Sequence, residues 1–328
     1  MYLIAYNFSP VFGGQERYLE ILALELERRC HSVEIHGTPQ RIVRASGKNR
    51  PKSLKVELLN GYRALYFRAW RRRQAHLRVF ILHSDINFGR ELHIKTLIRK
   101  ILVKVLLHRI DVVIRVSSKS ISDSYAPGKI HTIHNGVELP KLTGTKSSTD
   151  PFTLLMVGSI NDLKNQIMGL KLLKRLEGVH LILVGDGPKR EEWQRWAEEN
   201  GIADRVEWVG FVNDPTSYYQ RAHALMILSR FEAFPYAMLE AMAFSIPVIS
   251  VPVGGVDEAI TDGSDGIIIS SYHIEELEEA VRFLSSDRIA CGDMGRRARE
   301  TIKKKFTIRS SVDNFILKIN EAAANLFE

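Results

Sequence analysis

Short apolar runs alternate with stretches of helical period along the chain. In the first part the runs are YLIAY (2–6), SVEIHG (32–37), LKVELL (54–59), RVFILH (78–83), DVVIRV (111–116) and KIHTIHN (129–135). Between them fall a helical segment at about 16–29, a basic one beginning at Gly61 and a second basic one at 93–110. Strands alternating with helices predict a parallel, doubly wound sheet. Residues 142–150 (LTGTKSSTD) are rich in Thr, Ser and Gly and read as a linker. A second series follows: FTLLMVG (152–158), a helix from Lys164, VHLILVG (179–185), a helix from Lys189, RVEWVG (205–210), ALMIL (224–228), a helix led by Pro235, and IPVISV (246–251). The pattern thus predicts two α/β domains in tandem, over 1–140 and 150–307. A last helix, about 308–328, is long enough to return to the first domain.

The richest segment for chemistry is 231–260, FEAFPYAMLEAMAFSIPVISVPVGGVDEAI. Pro235 fits the first turn of a helix, where its missing N–H goes unused, which places Glu232 in a loop and Glu240 inside the helix. The helix N-terminus offers unpaired N–H groups to a phosphate, and Glu240, about one turn further in, suits a pair of sugar hydroxyls such as those of a ribose. In open α/β sheets ligands bind beyond the carboxyl ends of strands, so the other strand-end loops matter too. In the loop at 10–16 (PVFGGQE), Gly13 and Gly14 permit close approach of a phosphate or sugar, and His83 ends its strand in the same region. Strand 152–158 ends in Gly158, followed by SINDLKNQ, where Lys164 reads by itself as a solvated lysine and alternatively as a diphosphate ligand. Gly185 makes a tight turn whose backbone can pack against a base, and Gly254 and Gly255 form another close-approach turn.

Composition narrows the field. With 328 residues, 45% of them hydrophobic, the chain can bury a large core. Cys30 and Cys291 have neither CxxC nor metal-ligand spacing, which predicts a reducing compartment and inert, buried thiols. The start, MYLIAYNFSP, reads as a first strand rather than a signal peptide, and no uncharged apolar run is long enough to span a bilayer. Charge is divided unevenly: residues 1–140 hold 24 Lys and Arg against 11 Asp and Glu, while the rest of the chain is mildly acidic. An anionic partner for the first half follows: a membrane surface, an acidic lipid-linked acceptor or nucleic acid. In segment 93–110, Ile94, Ile98, Ile101 and Val105 share one helical face, and Lys100, Lys104 and His108 another, a pattern that suits either a core-packed helix with a solvated basic face or a helix resting on anionic lipid; two basic helices in one domain favour the lipid. There is no Walker A motif, no GxGxxG after a strand, no Asp-x-Asp pair and no cluster with metal-ligand spacing, so no metal site is expected and phosphates must be neutralised by Lys164 and helix N-termini.

Together these segments resemble the nucleotide-sugar glycosyltransferases of GT-B fold, in particular the retaining group known as family four, or glycosyl transferases group 1. GGQER (13–17) resembles the family's N-terminal Gly-Gly-x-Glu loop, HTIHNGVE (131–138) its Asn-Gly segment, VGSINDLKN (157–165) its Gly-Arg…Lys-Gly loop and LILVGDGP (181–188) its Gly-x-Gly-Pro turn. The 231–260 segment matches its signature of two glutamates separated by seven residues. The resemblance implies two Rossmann-like, doubly wound domains facing a cleft, and a retaining, metal-independent transfer of a hexosyl group from a nucleoside-diphosphate sugar, without cofactor, in surface glycan synthesis. It assigns Glu240 to the donor ribose, Glu232 and the backbone from Phe234 through Pro235 to Tyr236 to sugar and phosphate, Lys164 to the diphosphate and His83 to the transferred sugar. His83, Glu232 and Lys164 are then the catalytic set, while Gly13, Gly14, Gly158 and Gly185 line the donor. Three positions depart from the pattern: Ser159 stands where Arg is usual, and Ala233 and Asn165 stand where Gly is common. The acceptor expected is a glycan or lipid-linked intermediate at the inner face of the membrane, reached by a cytoplasmic protein in peripheral contact, with no nucleic acid bound. Two other readings compete: a GT-B nucleotide-sugar epimerase, which turns over donor without acceptor, and a basic nucleic-acid-binding protein, which needs neither glutamate and loses binding steeply with salt.

Overall fold

A computed structural model describes residues 1–8, 13–37, 54–84, 93–142 and 151–327, so most of the linker and the start of the 10–16 loop lie outside the described residues. The chain divides into two units, Met1–Gly136 with Ile308–Glu328, and Val137–Thr307.

In the first unit the order is β1 (Tyr2–Asn7), α1 (Gly14–Arg28), β2 (Ser32–Gly37), β3 (Lys55–Asn60), α2 (Gly61–Arg68), β4 (Leu77–Leu82), α3 (His93–Leu107), β5 (Val112–Arg115) and β6 (Ile130–Thr132). The strands pair in parallel in the order β2-β1-β3-β4-β5-β6. Every residue of β4 is buried, as a central strand covered on both faces requires. α1 buries Tyr18, Leu19, Leu22, Ala23 and Leu26, a stripe at three- and four-residue spacing. Residues 308–328 belong to this unit: Ser311 Oγ donates to the His134 carbonyl at 2.8 Å and Arg29 pairs with Asp313. Cys30 is exposed, contrary to the expectation of two buried thiols, because α1 ends there in a left-handed residue (φ 62) at the surface; Cys291 is buried.

The second unit runs β7 (Phe152–Val157), α4 (Gln166–Leu173), β8 (Val179–Val184), α5 (Arg190–Glu199), β9 (Val206–Gly210), α6 (Thr216–Arg221), β10 (Ala224–Ile227), α7 (Tyr236–Ala243), β11 (Val248–Ser250), α8 (Val256–Ala259), β12 (Gly266–Ile268), α9 (Ile274–Ser286) and α10 (Arg288–Lys305); α11 (Ile308–Phe327) closes the first unit. Its parallel sheet is ordered β9-β8-β7-β10-β11-β12, so the winding reverses between β7 and β10. In the first sheet the reversal falls between β1 and β3. Such reversals splay the loops apart and open a crevice for ligands.

One charge cluster holds the first unit together from inside. Glu57 is 1% exposed and takes Arg68 on Oε1 and Arg78 on Oε2, each at 2.7 Å, while the Arg68 guanidinium lies 4.1 Å over the Tyr6 ring. Removing the carboxylate leaves two guanidinium groups out of water and unpaired. Glu57→Gln is expected to cost roughly 3–5 kcal/mol of stability, read as a fall in the urea midpoint; a change within error would mean that the triad does not stabilise the unit.

Candidate active site

At the reversal of the second sheet, the chain leaves β7 through Gly158 (φ 141), and a Cβ there would meet the Lys164 side chain at 3.2 Å. The stem of Lys164 therefore lies across bare backbone. Asn161 Oδ1 accepts the N–H groups of Leu163 and Lys164, each at 3.0 Å, which shapes the loop. Asn165 follows in the left-handed region at φ 56, which explains why glycine is common at this position and why α4 starts at Gln166 rather than at Lys164. Lys164 Nζ reaches Glu232 Oε1 at 2.5 Å, and Ser229 Oγ donates to the same oxygen at 2.7 Å. Tyr272 donates its hydroxyl to the Ser229 carbonyl at 2.9 Å, and the Arg230 N–H donates to the Leu163 carbonyl at 2.7 Å. Two strand-end loops are thus joined by side chains and backbone together.

From the other side, the turn after β11 presses on the Glu232 loop. A Cβ on Gly254 (φ 55) would stand 2.3 Å from the Glu232 carbonyl oxygen, and the Gly255 N–H donates to the Ala233 carbonyl at 2.7 Å. Pro235 is the extended residue just before α7 (φ −72, ψ 129), one position earlier than expected. Phe234 is buried against the Phe306 ring, 5.5 Å between centroids, and Tyr236 is buried as well, so their side chains pack the interior and the loop backbone is what a ligand can meet. Glu240, inside α7 and 8% exposed, accepts from the Tyr219 hydroxyl at 2.7 Å; Tyr219 in turn stacks on Phe244 at 5.3 Å. At Gly185 (φ 136) a Cβ would meet the Gly158 carbonyl oxygen at 2.0 Å, so the protein's own backbone is what requires glycine there.

The first unit gathers its own polar cluster at the ends of β1, β3 and β4. His83 Nε2 lies 2.7 Å from Asn60 Oδ1. Asn60 Nδ2 donates to the Gln15 carbonyl at 3.0 Å and lies 3.4 Å from Asn7 Oδ1, and Asn7 Nδ2 donates to Glu16 Oε1 at 3.2 Å. Glu16 Oε2 accepts the Gly13 N–H at 2.8 Å, tying the Gly13–Gly14 entry of α1 to the same cluster. Gly13 has an extended backbone (φ −162) and no atom closer than 3.6 Å to a Cβ placed on it, so nothing in the chain's own packing among the described residues demands glycine there. Burial holds the His83 imidazole neutral, with its pKa pushed down to about 3.

Of the residues singled out from sequence, Lys164, Gly158 and Glu232 come together in the second unit, and Gly13 and His83 are linked in the first. Sequence reasoning passed over Ser229, Tyr219 and Arg230, and Asn7 and Asn60, and gave Glu16 no role beyond its place in the Gly-Gly-x-Glu resemblance. Strand-end position was the one signal available for the asparagines; Tyr219 lies 21 residues from Glu240 with no local pattern to connect them. Ser159 is exposed, and its carbonyl accepts from Gln166 Nε2 at 3.0 Å. Among the described residues no group of three or more His, Cys, Asp or Glu side chains could hold a metal ion.

Residues 143–301 match the family model for Glycosyl transferases group 1. The second unit belongs to that family. Among curated relatives of this group 1 domain, the Vi polysaccharide biosynthesis protein VipC/TviE of Salmonella typhi is 29% identical over 153 residues, 45% of this chain and 26% of that protein. The poly(glycerol-phosphate) alpha-glucosyltransferase of Bacillus subtilis is 24% identical over 196 residues, 58% of this chain and 28% of that protein. The chain spans about a quarter of the length of these two relatives. Among solved structures, Anabaena HepE in complex with UDP-glucose superposes with a TM-score of 0.81 at 18% identity, over 98% of this chain and 100% of that one. The fold is GT-B, with a Rossmann-like parallel sheet in each unit.

The clamp on the Glu232 loop can be tested against a control. Gly178 has φ 68 with open space around it, so Gly178→Ala carries backbone strain alone, about 1 kcal/mol. Gly254→Ala adds a collision with the Glu232 carbonyl and is expected to cost more, roughly 2–3 kcal/mol, by thermal unfolding of the two variants side by side. Equal losses would remove the close approach from this account.

Proposed function

We propose that the protein is a retaining, metal-independent hexosyltransferase that moves a sugar from a nucleoside diphosphate to a glycan or lipid-linked acceptor. The single observation that carries this reading is the Lys164–Glu232 pair at the reversal of the second sheet, on the loop that enters α7. In this reading Lys164 and the N–H groups at the start of α7 stabilise charge developing on the leaving diphosphate, and Arg230, joined to the Lys164 loop through its backbone, supplies the cation that Ser159 does not. Glu240, fixed through one oxygen by Tyr219, receives the ribose hydroxyls. His83 contacts the transferred sugar, and Gly13 and Gly14 give it room. The bond from C1 to the diphosphate oxygen breaks while the acceptor oxygen bonds C1 on the same face, and the acceptor proton passes to the departing phosphate. Isolation of a covalent sugar on Glu232 or His83 would overturn this step.

The reading is supported by the group 1 domain, by the polysaccharide role in the name of the Salmonella relative and by the UDP-glucose held by HepE. The test is transfer of labelled sugar from a panel of nucleotide sugars, beginning with UDP-glucose, to a membrane extract, with the anomeric configuration read by NMR. Glu240→Ala, which removes a charged hydrogen-bond acceptor, is expected to lower kcat/KM by roughly 10- to 100-fold; an unchanged rate would refute the donor assignment. Donor turnover without acceptor would favour the epimerase instead.

We place the protein in the cytoplasm, against the inner face of an anionic membrane. Among the described residues no helix is long and apolar enough to cross a bilayer. On α3, however, Leu97, Ile98, Ile101 and Val105 are 46–59% exposed, while Val103, Leu106 and Leu107 fill the core. The side chain of Ile94 lies outside the described residues. Exposed Lys104, His108 and Arg109 flank this stripe, and the Arg109 guanidinium lies 5.2 Å over the exposed Trp70 ring. An apolar stripe edged with cations and a tryptophan suits an anionic lipid surface. Sedimentation with phosphatidylglycerol vesicles is expected to carry the protein down, less so in high salt, and Ile98→Asp with Ile101→Asp is expected to weaken binding by about tenfold or more. Equal binding by the double variant would remove α3 from the contact.

A further inference from the structure

Two groups that can only accept hydrogen bonds fix the direction of the polar chain leading to His83. The Glu16 carboxylate already takes the Gly13 N–H on Oε2, and the Asn7 atom 3.2 Å from Oε1 must therefore be its amide nitrogen. Asn7 Oδ1 then turns toward Asn60. The Gln15 main-chain carbonyl also only accepts, so the Asn60 atom 3.0 Å from it is Nδ2, and this same nitrogen faces Asn7 Oδ1 at 3.4 Å. Both anchors leave Asn60 Oδ1 pointing at His83 Nε2, 2.7 Å away. An amide oxygen cannot donate, so the hydrogen of that bond sits on Nε2, and a neutral imidazole then has a bare Nδ1. Tyr18 meets the ring edge-on at 5.0 Å and limits its rotation.

We propose that Glu16, Asn7 and Asn60 are positioning residues that hold His83 as the Nε2–H tautomer, so that Nδ1 accepts a hydrogen bond from a sugar hydroxyl and cannot donate one. The ligand half of this statement rests on the reading of His83 as the contact for the transferred sugar; the tautomer half stands on the free protein alone. A site built in this way favours a hydroxyl at the contacted carbon and rejects a group that can only accept, such as a methyl ether or fluorine.

The test is a long-range proton–nitrogen correlation spectrum of the full chain carrying labelled histidine, with His83 assigned by its loss in His83→Gln. The expected result is a pyrrole-type Nε2 and a pyridine-type Nδ1 at neutral pH. An Nδ1–H form, an averaged pair or an imidazolium overturns the proposal. Asn60→Leu is expected to shift both nitrogens toward averaged values and to lower donor kcat/KM about tenfold, and Asn60→Asp, which restores an acceptor, to bring the Nε2–H signature back. An unchanged tautomer in Asn60→Leu overturns the relay. If either variant fails to fold, the wild-type spectrum alone decides. Should the tautomer be as stated while His83→Gln transfers sugar at the wild-type rate, the sugar contact is wrong and the relay stands.

Discussion

The Lys164–Glu232 pair is the constraint on which the arrangement of the second unit's strand-end loops depends, because it joins the loop after β7 to the loop after β10 where the sheet reverses. Glycines make the join possible: Gly158 lets the lysine stem lie on backbone, and Gly254 lets the Glu232 loop sit against the following turn. The pair is partly open to water, with 31% of the lysine and 12% of the glutamate side chain exposed, so it contributes on the order of 1 kcal/mol. That is too little to keep a diphosphate out. A ligand with two negative charges would compete for Lys164 while gaining the N–H groups at the start of α7, and Glu232, held by Ser229, would stay near its place when the lysine turned to the ligand.

Much of this was legible in the chain, for identifiable reasons. Two domains of alternating strands and helices follow from the period of the apolar positions, and the group 1 domain from the resemblance of the 231–260 segment and the strand-end loops to that family's motifs. What stayed hidden depends on contacts between distant residues. Nothing near Tyr219 announces that it will hold Glu240, and an asparagine at a strand end reads as a turn former until Asn7 and Asn60 are seen to meet across neighbouring strands. Glycine was ambiguous in a different way. Close approach at Gly185 was readable, but not that the Gly158 carbonyl already demands glycine there.

α3 illustrates a limit of periodicity as a guide. A helix with apolar residues on nearly every side cannot say which stripe faces the core, and here Val103, Leu106 and Leu107 go inward while Ile98, Ile101 and Val105 remain outside. Burying the outer stripe would stabilise by about 1.5–3 kcal/mol for each fully covered side chain, which is the physical incentive for a partner. The excess of basic over acidic residues in the first 140 positions makes an anionic surface the complementary one.

Among the described residues of the first unit two buried polar networks stand out, and their chemistry separates structure from function. Around Glu57 the carboxylate is matched by Arg68 and Arg78; Arg78 is closed in by the Ala69 and Arg71 carbonyls and Arg68 by the Gln74 side chain and the Tyr6 ring, so the cluster is satisfied within itself and its worth is stability. The chain from Glu16 runs in one direction and ends on an imidazole at a strand terminus, beside the glycine entry of α1. Stability alone would be served as well by apolar residues of similar volume. A network that fixes the orientation of a half-buried, neutral histidine at its end makes sense when the unused nitrogen meets something that is not part of the chain.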